Sequence, residues 1–156
     1  MTAAEVLTLA QSKGIMIATA ESCTGGLIAG ALTEVPGSSA VVDRGFITYS
    51  NDAKVEMLGV PMDLITAHGA VSRPVAEAMA LGALARSKAG LCVSVTGVAG
   101  PGGTDAKPEG MVCFGIATAQ GVRSETQRFG ALGRSEVRSE TVRHALKLLG
   151  NALASL

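Results

Sequence analysis

Apolar and polar positions along this 156-residue chain follow two periods, and the switches between them mark its elements. Residues 3–13 (AAEVLTLAQSK) have helical spacing, with Thr2 and Glu5 as a capping box and Gly14 as the stop. Residues 15–20 (IMIATA) are a short β-rich run, read as a buried strand. Helical spacing returns over 24–35, with Leu27, Ala31 and Val35 on one face, and 36–39 (PGSS) is a turn. Residues 41–50 (VVDRGFITYS) are rich in β-branched and aromatic residues and predict a strand. Residues 51–60 predict a short helix closed by Gly59, and 61–67 add a helical turn after Pro61. The clearest helix is 72–90, with Ser72 as its cap, Pro74 near its first position and Gly90 at its end. Residues 91–96 (LCVSVT) are a largely apolar strand, followed by the long Gly/Pro loop 97–110. Strands over 111–119 and 122–129, joined at Gln120-Gly121, read as an antiparallel hairpin. Residues 134–153 form an amphipathic helix whose stripe is Val137, Thr141, Ala145, Leu148, Leu149 and Ala152.

Strands alternating with helices imply an α/β fold: a single three-layer α/β/α domain. The terminal hairpin makes its sheet mixed, though mostly parallel. Ligands of such sheets sit beyond the carboxyl ends of the strands. Three segments leave such ends here: Glu21–Gly26, Tyr49–Lys54 and Gly97–Gly110.

Composition narrows the function. With 47% hydrophobic residues and 13 basic against 13 acidic side chains, the chain is not disordered. The balance also argues against a nucleic-acid partner, which needs clustered Lys and Arg. Aromatic residues are 3%, so the core is aliphatic and base-stacking platforms are excluded. Three cysteines without a close pair, and no leader-like start, predict reduced thiols and a cytoplasmic protein. Two distant histidines predict no metal site of the usual zinc kinds. No run of about 18 apolar residues is present, so no membrane-spanning segment is expected.

Three constellations could carry chemistry. In AESCTGG (20–26) a strand ends in hydroxyls, Ser22 and Thr24, before Gly25, Gly26 and a helix N-terminus. Such a turn can present N–H groups to an anion, or be only a capped strand-to-helix connection. It matches neither the Walker loop, nor GxGxxG, nor the GxSxG elbow. In TYSNDAK (48–54), an Asn51 cap would put Lys54 in a first helical turn, where the helix dipole lowers a lysine pKa. The alternative is a solvated lysine after a tyrosine that ends a strand. The loop VTGVAGPGGTDAKPEG (95–110) offers backbone N–H groups, Thr96, Thr104, Asp105 and Lys107. It reads as a cover for a phosphorylated or sugar-bearing small molecule, or as a plain surface connection. His68 reads as a turn residue and Cys23 as a packed small residue. Arg134, Arg138 and His144 lie on the last helix, where arginines are usually solvated, although Arg138 could reach a phosphate.

Together AESCTGG (20–26), GFITYSNDAK (45–54), HGAVS (68–72) and SVTGVAGPGGTDAKPEG (94–110) resemble the CinA C-terminal domain family, the nicotinamide-nucleotide amidases, over nearly the whole chain. The resemblance implies deamidation of nicotinamide mononucleotide to nicotinic acid mononucleotide, with release of ammonia. It implies a small-molecule nucleotide as partner, a homo-oligomer, and neither cofactor nor metal. It makes Ser22 the nucleophile, with Tyr49 and Lys54 as activating partners, a variant of the Ser–His–Asp arrangement. Thr24, Gly25 and Gly26 would stabilise the oxyanion. Thr96, Gly97 and Arg138 would help the glycine loop hold the phosphate and ribose. Many relatives carry an additional N-terminal domain resembling molybdopterin-binding proteins. This chain starts at the amidase-like part, so residues 1–156 are expected to be one such domain without the second activity. The rivals are a non-catalytic nucleotide-binding module and a competence-related accessory domain.

Overall fold

The chain runs α1 (Ala3–Lys13), β1 (Ile17–Glu21), α2 (Leu27–Thr33), a 3-10 turn (Ser38–Ala40), β2 (Val42–Ile47), α3 (Asn51–Leu58), α4 (Met62–His68) and α5 (Arg73–Ala85). It continues through β3 (Leu91–Gly97), β4 (Met111–Thr118), β5 (Gly121–Arg128) and α6 (Arg134–Ala154). This computed structural model describes residues 1–104 and 106–156, so Asp105, named above as a loop group, lies outside the described residues.

Among the described residues the strands form one five-stranded mixed sheet in the order β2-β1-β3-β4-β5. β1 pairs in parallel with β2 and β3, whereas β4 is antiparallel to both β3 and β5. Only β4 therefore runs against the common direction. Strand side chains alternate between the faces, and each face feeds its own core. Ile17, Val93, Val95 and Phe114 pack under α1, α2 and α6, with Val6, Ile28, Leu32, Val137 and Leu149. Ala18, Ala20 and Cys92 pack under α3, α4 and α5, with Leu58, Ile65, Val75 and Met79. This is the three-layer α/β/α arrangement. The stripe predicted for α6 is buried throughout.

Local details depart from the pattern. β1 starts at Ile17 and takes in Glu21, because parallel pairing on both sides extends to the carboxyl end. α2 starts three residues later than predicted and buries Ile28 and Leu32, while Leu27 is 44% exposed. The apolar face is turned by one residue from the predicted one. Ser50, not Asn51, caps α3, accepting from Ala53 N at 3.0 Å. α5 ends at Ala85, well before Gly90, because the chain must already turn to enter β3. Ser72 precedes α5 without capping it; its hydroxyl donates to Gly69 O at 2.8 Å. The β4–β5 turn is Ala119-Gln120, since Thr118 pairs with Gly121.

Candidate active site

Register decides what meets at the carboxyl edge of the sheet. Glu21 pairs with Ile47 on one side and Val95 on the other. The next residues, Ser22, Thr48 and Thr96, therefore stand at one level, the first two just past β1 and β2 and the third among the last paired residues of β3. Ser22 N donates to Val95 O at 3.1 Å and Thr48 N donates to Glu21 O at 2.8 Å, which fixes the two turns against the sheet.

The short link Thr48–Ser50 leads straight into α3. Helical side chains lean toward the N-terminus, so Lys54 runs back over this link. Its Nζ lies 3.1 Å from Ser22 Oγ, 3.0 Å from Thr48 O and 3.3 Å from Tyr49 O. The side chain is 1% exposed, and burial pushes its pKa below the usual lysine value. Loss of water disfavours the ammonium because no carboxylate lies within ion-pair distance among the described residues. Nζ donates to Ser22 Oγ and to the carbonyls of Thr48, Tyr49 and, at 3.5 Å, Ser50, while the Ser22 hydroxyl donates to Tyr49 O at 3.5 Å. Lys54 is thus not the solvated lysine of the alternative reading.

The turn that holds Ser22 is braced twice. Gly26 is the N-cap of α2 at φ +104°, a left-handed conformation suited to glycine, and it has no side chain to cap with. The fully buried Glu21 takes over. Its Oε1 accepts from Thr24 Oγ1 at 2.6 Å and Ile28 N at 2.8 Å, and its Oε2 from Thr19 Oγ1 at 3.1 Å and Ala29 N at 3.0 Å. From α6, Arg138 Nε donates to Cys23 O at 3.1 Å and Nη2 donates to Thr24 O at 3.2 Å. Because a peptide's N–H points opposite to its C=O, this grip on the Cys23 carbonyl turns the Thr24 N–H the other way. The N–H groups of Cys23 and Thr24 have no acceptor among the described residues, whereas Gly25 N donates to Ser22 O at 3.0 Å.

Ser22 and Lys54 open into a cleft of about 420 Å³. Residues Thr96 to Thr104 and Arg134 also line it. Tyr49 also lines it, 60% exposed. The carbonyl of Tyr49 accepts from Lys54, while its hydroxyl accepts from Arg134 Nη2 at 2.7 Å. Thr96 and Gly97 line the cleft, though the Thr96 hydroxyl donates to Ala70 O at 2.9 Å. Lys107 fastens the loop by donating to Val71 O at 2.7 Å.

The structure thus brings Ser22, Tyr49, Lys54, Thr96 and Gly97 to one cleft. It leaves Thr24, Gly25, Gly26 and Arg138 behind the turn, outside the described cleft lining. Cys23 also lines the cleft, but burial pushes its thiol up to about 12, so it stays protonated. His68 is exposed at the end of α4. Among the described residues no group of three or more His, Cys, Asp or Glu could hold a metal, and no helix is long and apolar enough to cross a membrane.

Two residues escaped the sequence reading. Glu21 was within the AESCTGG turn but had no role; the signal was Gly26, whose bare N-cap requires an acceptor from elsewhere. Arg134 was grouped with a solvated helix surface, although it is the first residue of α6 and lines the cleft.

The sequence profile of the CinA C-terminal domain matches residues 1–153. The chain belongs to the CinA C-terminal domain family. A CinA-like protein of Mycolicibacterium gilvum is 54% identical over 143 residues, covering 90% of this chain and 34% of that protein. The chain thus spans about a third of the length of the curated relatives it matches. The competence/damage inducible protein CihA of Agrobacterium tumefaciens has a crystal structure that superposes with a TM-score of 0.93 at 55% identity, covering 97% of this chain and 93% of that one. A CinA superfamily protein of Klebsiella pneumoniae superposes with a TM-score of 0.95 at 32% identity, over 99% and 96% of the two chains. In this CinA domain, the Ser22 hydroxyl and the buried Lys54 amine lie within hydrogen-bond distance and line one cleft with Arg134.

Proposed function

We propose that this CinA domain is an amidohydrolase that converts nicotinamide mononucleotide to nicotinic acid mononucleotide and ammonia by acyl transfer through Ser22. The observation that carries the reading is the buried Lys54 Nζ, 3.1 Å from Ser22 Oγ. A serine hydroxyl is a weak nucleophile at its own pKa, and an uncharged amine at hydrogen-bond distance is a competent base. Lys54 takes the Ser22 proton as Oγ adds to the carboxamide carbon. The N–H group of Cys23, a residue that lines the cleft, receives the developing oxyanion. Lys54 then passes its proton to the departing nitrogen, which leaves as ammonia. Water enters, gives a proton to Lys54 and adds to the acyl ester. Lys54 returns that proton to Ser22 as the acid leaves.

Tyr49 serves the pair through its carbonyl, which orients Lys54. Its hydroxyl stands at the rim with Arg134, and this guanidinium and the glycine loop are suited to the phosphate. Arg138 holds two carbonyls and lies outside the described cleft lining, whereas Arg134 lines it, which supports a bracing role for Arg138 over direct phosphate contact. The three cysteines are free and buried, which supports a cytoplasmic setting.

The test is ammonia release from nicotinamide mononucleotide by purified protein with chelator present, beside Ser22→Ala. Release by the parent and none by the variant is expected. Nucleotide binding without release by well-folded parent protein would reject the amidase and leave a binding module.

A further inference from the structure

We infer that Glu109 is a positioning residue for the phosphate end of the cleft, holding the glycine loop and Arg134 at a set distance from one another. The inference rests on the nucleotide reading above. Glu109 is half-buried and lies outside the described lining of the cleft, so it acts through its neighbours.

Its carboxylate joins two segments. Oε1 accepts from Gly102 N at 2.7 Å, and Oε2 accepts from Gly133 N, 24 residues away, at 3.0 Å. Gly133 is the N-cap of α6, so the second bond fixes the helix at the residue before Arg134. Arg134 Nη1 donates to Gly100 O at 2.7 Å, returning to the same loop. These contacts close a ring through Gly100, Gly102, Glu109, Gly133 and Arg134. The side chain also packs on Gly100: a Cβ there would lie 2.5 Å from Glu109 Cδ and 2.7 Å from Cγ, and the backbone is at φ +92°. The positive φ is what calls for glycine at that position.

Gly100, Gly102 and Arg134 all line the cleft. An anion held jointly by loop N–H groups and a guanidinium needs both at fixed spacing. Glu109 supplies that spacing because its two oxygens accept from two different segments, which an aliphatic side chain cannot reproduce. The turn that carries Ser22 is held by Glu21 and Arg138, and the Lys54 amine by the carbonyls of Thr48 and Tyr49, none of which bonds to Glu109. Loss of Glu109 therefore loosens substrate binding and spares the chemistry.

The test is steady-state kinetics of the full chain and its Glu109→Ala and Glu109→Gln variants. The substrates are nicotinamide mononucleotide and its dephosphorylated form, nicotinamide riboside. Glu109→Ala is expected to raise KM for the nucleotide about tenfold, with kcat within about twofold, as suits removal of a charge-assisted positioning contact. Glu109→Gln keeps one acceptor and recovers part of the loss. Turnover of the riboside stays unchanged. An unchanged KM in Glu109→Ala, or an equal loss on both substrates, overturns the inference. Calorimetric binding of the same two compounds provides a readout independent of turnover: weaker nucleotide binding with unchanged riboside binding supports the role, and equal nucleotide binding overturns it. Failure of the parent to release ammonia would count against the amidase alone. If Glu109→Ala does not fold, Glu109→Gln decides by the same criteria: a partial rise in nucleotide KM supports the role and none overturns it.

Discussion

Glu21→Gln changes one atom type in the buried brace behind Ser22. The carboxylate accepts four hydrogen bonds, two on each oxygen, and each oxygen receives one backbone N–H, from Ile28 or from Ala29. A glutamine must place its NH2 group at one of these positions. The threonine hydroxyl there can rotate and accept, but the backbone N–H cannot. One buried N–H is left facing a donor, at a cost of about 1–3 kcal/mol. The remaining bonds lose their charge assistance, and the N-terminus of α2 loses its anion, together about 1–2 kcal/mol more. The expected destabilisation is about 3 kcal/mol, or a fall in Tm of about 6–12 °C for a chain of this length. Urea unfolding and a thermal melt of parent and variant measure it. The catalytic rate falls as well, because the turn carrying Ser22 loses its anchor. A loss below about 1 kcal/mol would show that the four contacts contribute little and would refute the argument.

Lys54→Met keeps the length of the side chain and removes the base, so ammonia release is expected to fall by at least about 100-fold. In the parent, kcat/KM rises with pH through a limb below the ordinary lysine range, since burial lowers this pKa and the neutral amine is the active form. The sign for stability follows from the same shift. Between the lowered pKa and the ordinary lysine value the unfolded chain binds the extra proton, so stability rises with pH there, and Lys54→Met removes that slope. Denaturant unfolding at several alkaline pH values checks this, and equal slopes in the two proteins would reject the burial argument. Arg138→Met is expected to lower kcat about tenfold or more with KM little changed, as suits a brace on the Ser22 turn; a selective rise in KM would return Arg138 to the phosphate. Gly97→Ala is expected to destabilise by about 1–3 kcal/mol in a thermal melt, because the new Cβ would lie 2.6 Å from Val112 Cγ2 and 3.0 Å from Met111 O. Unchanged stability would show that β4 yields freely at this point.

What the amino-acid order determined by itself is what lies within a few residues. The capping box of Thr2 and Glu5 and the stop at Gly14 define α1 within a short window, and the structure has both. The stripe from Val137 to Ala152 names the buried face of α6 because its period is that of the helix. The three segments at the carboxyl strand ends were legible for the same reason, since each follows a local switch from apolar run to polar turn. Tertiary structure decided which of their atoms meet. Ser22 and Lys54 are 32 residues apart, and only the parallel register of β1 with β2 brings the amine to the hydroxyl. Arg138 reaches the Ser22 turn across 115 residues and is spent on its carbonyls, whereas Arg134, one helical turn earlier, stands at the cleft. Sequence spacing does not distinguish two arginines four positions apart on one helix face; the segments each meets in the folded chain do. Glu21 shows the same division. Its place at the end of an apolar strand is written in the chain, but its role exists only because α2 returns over β1 and presents two bare N–H groups to it.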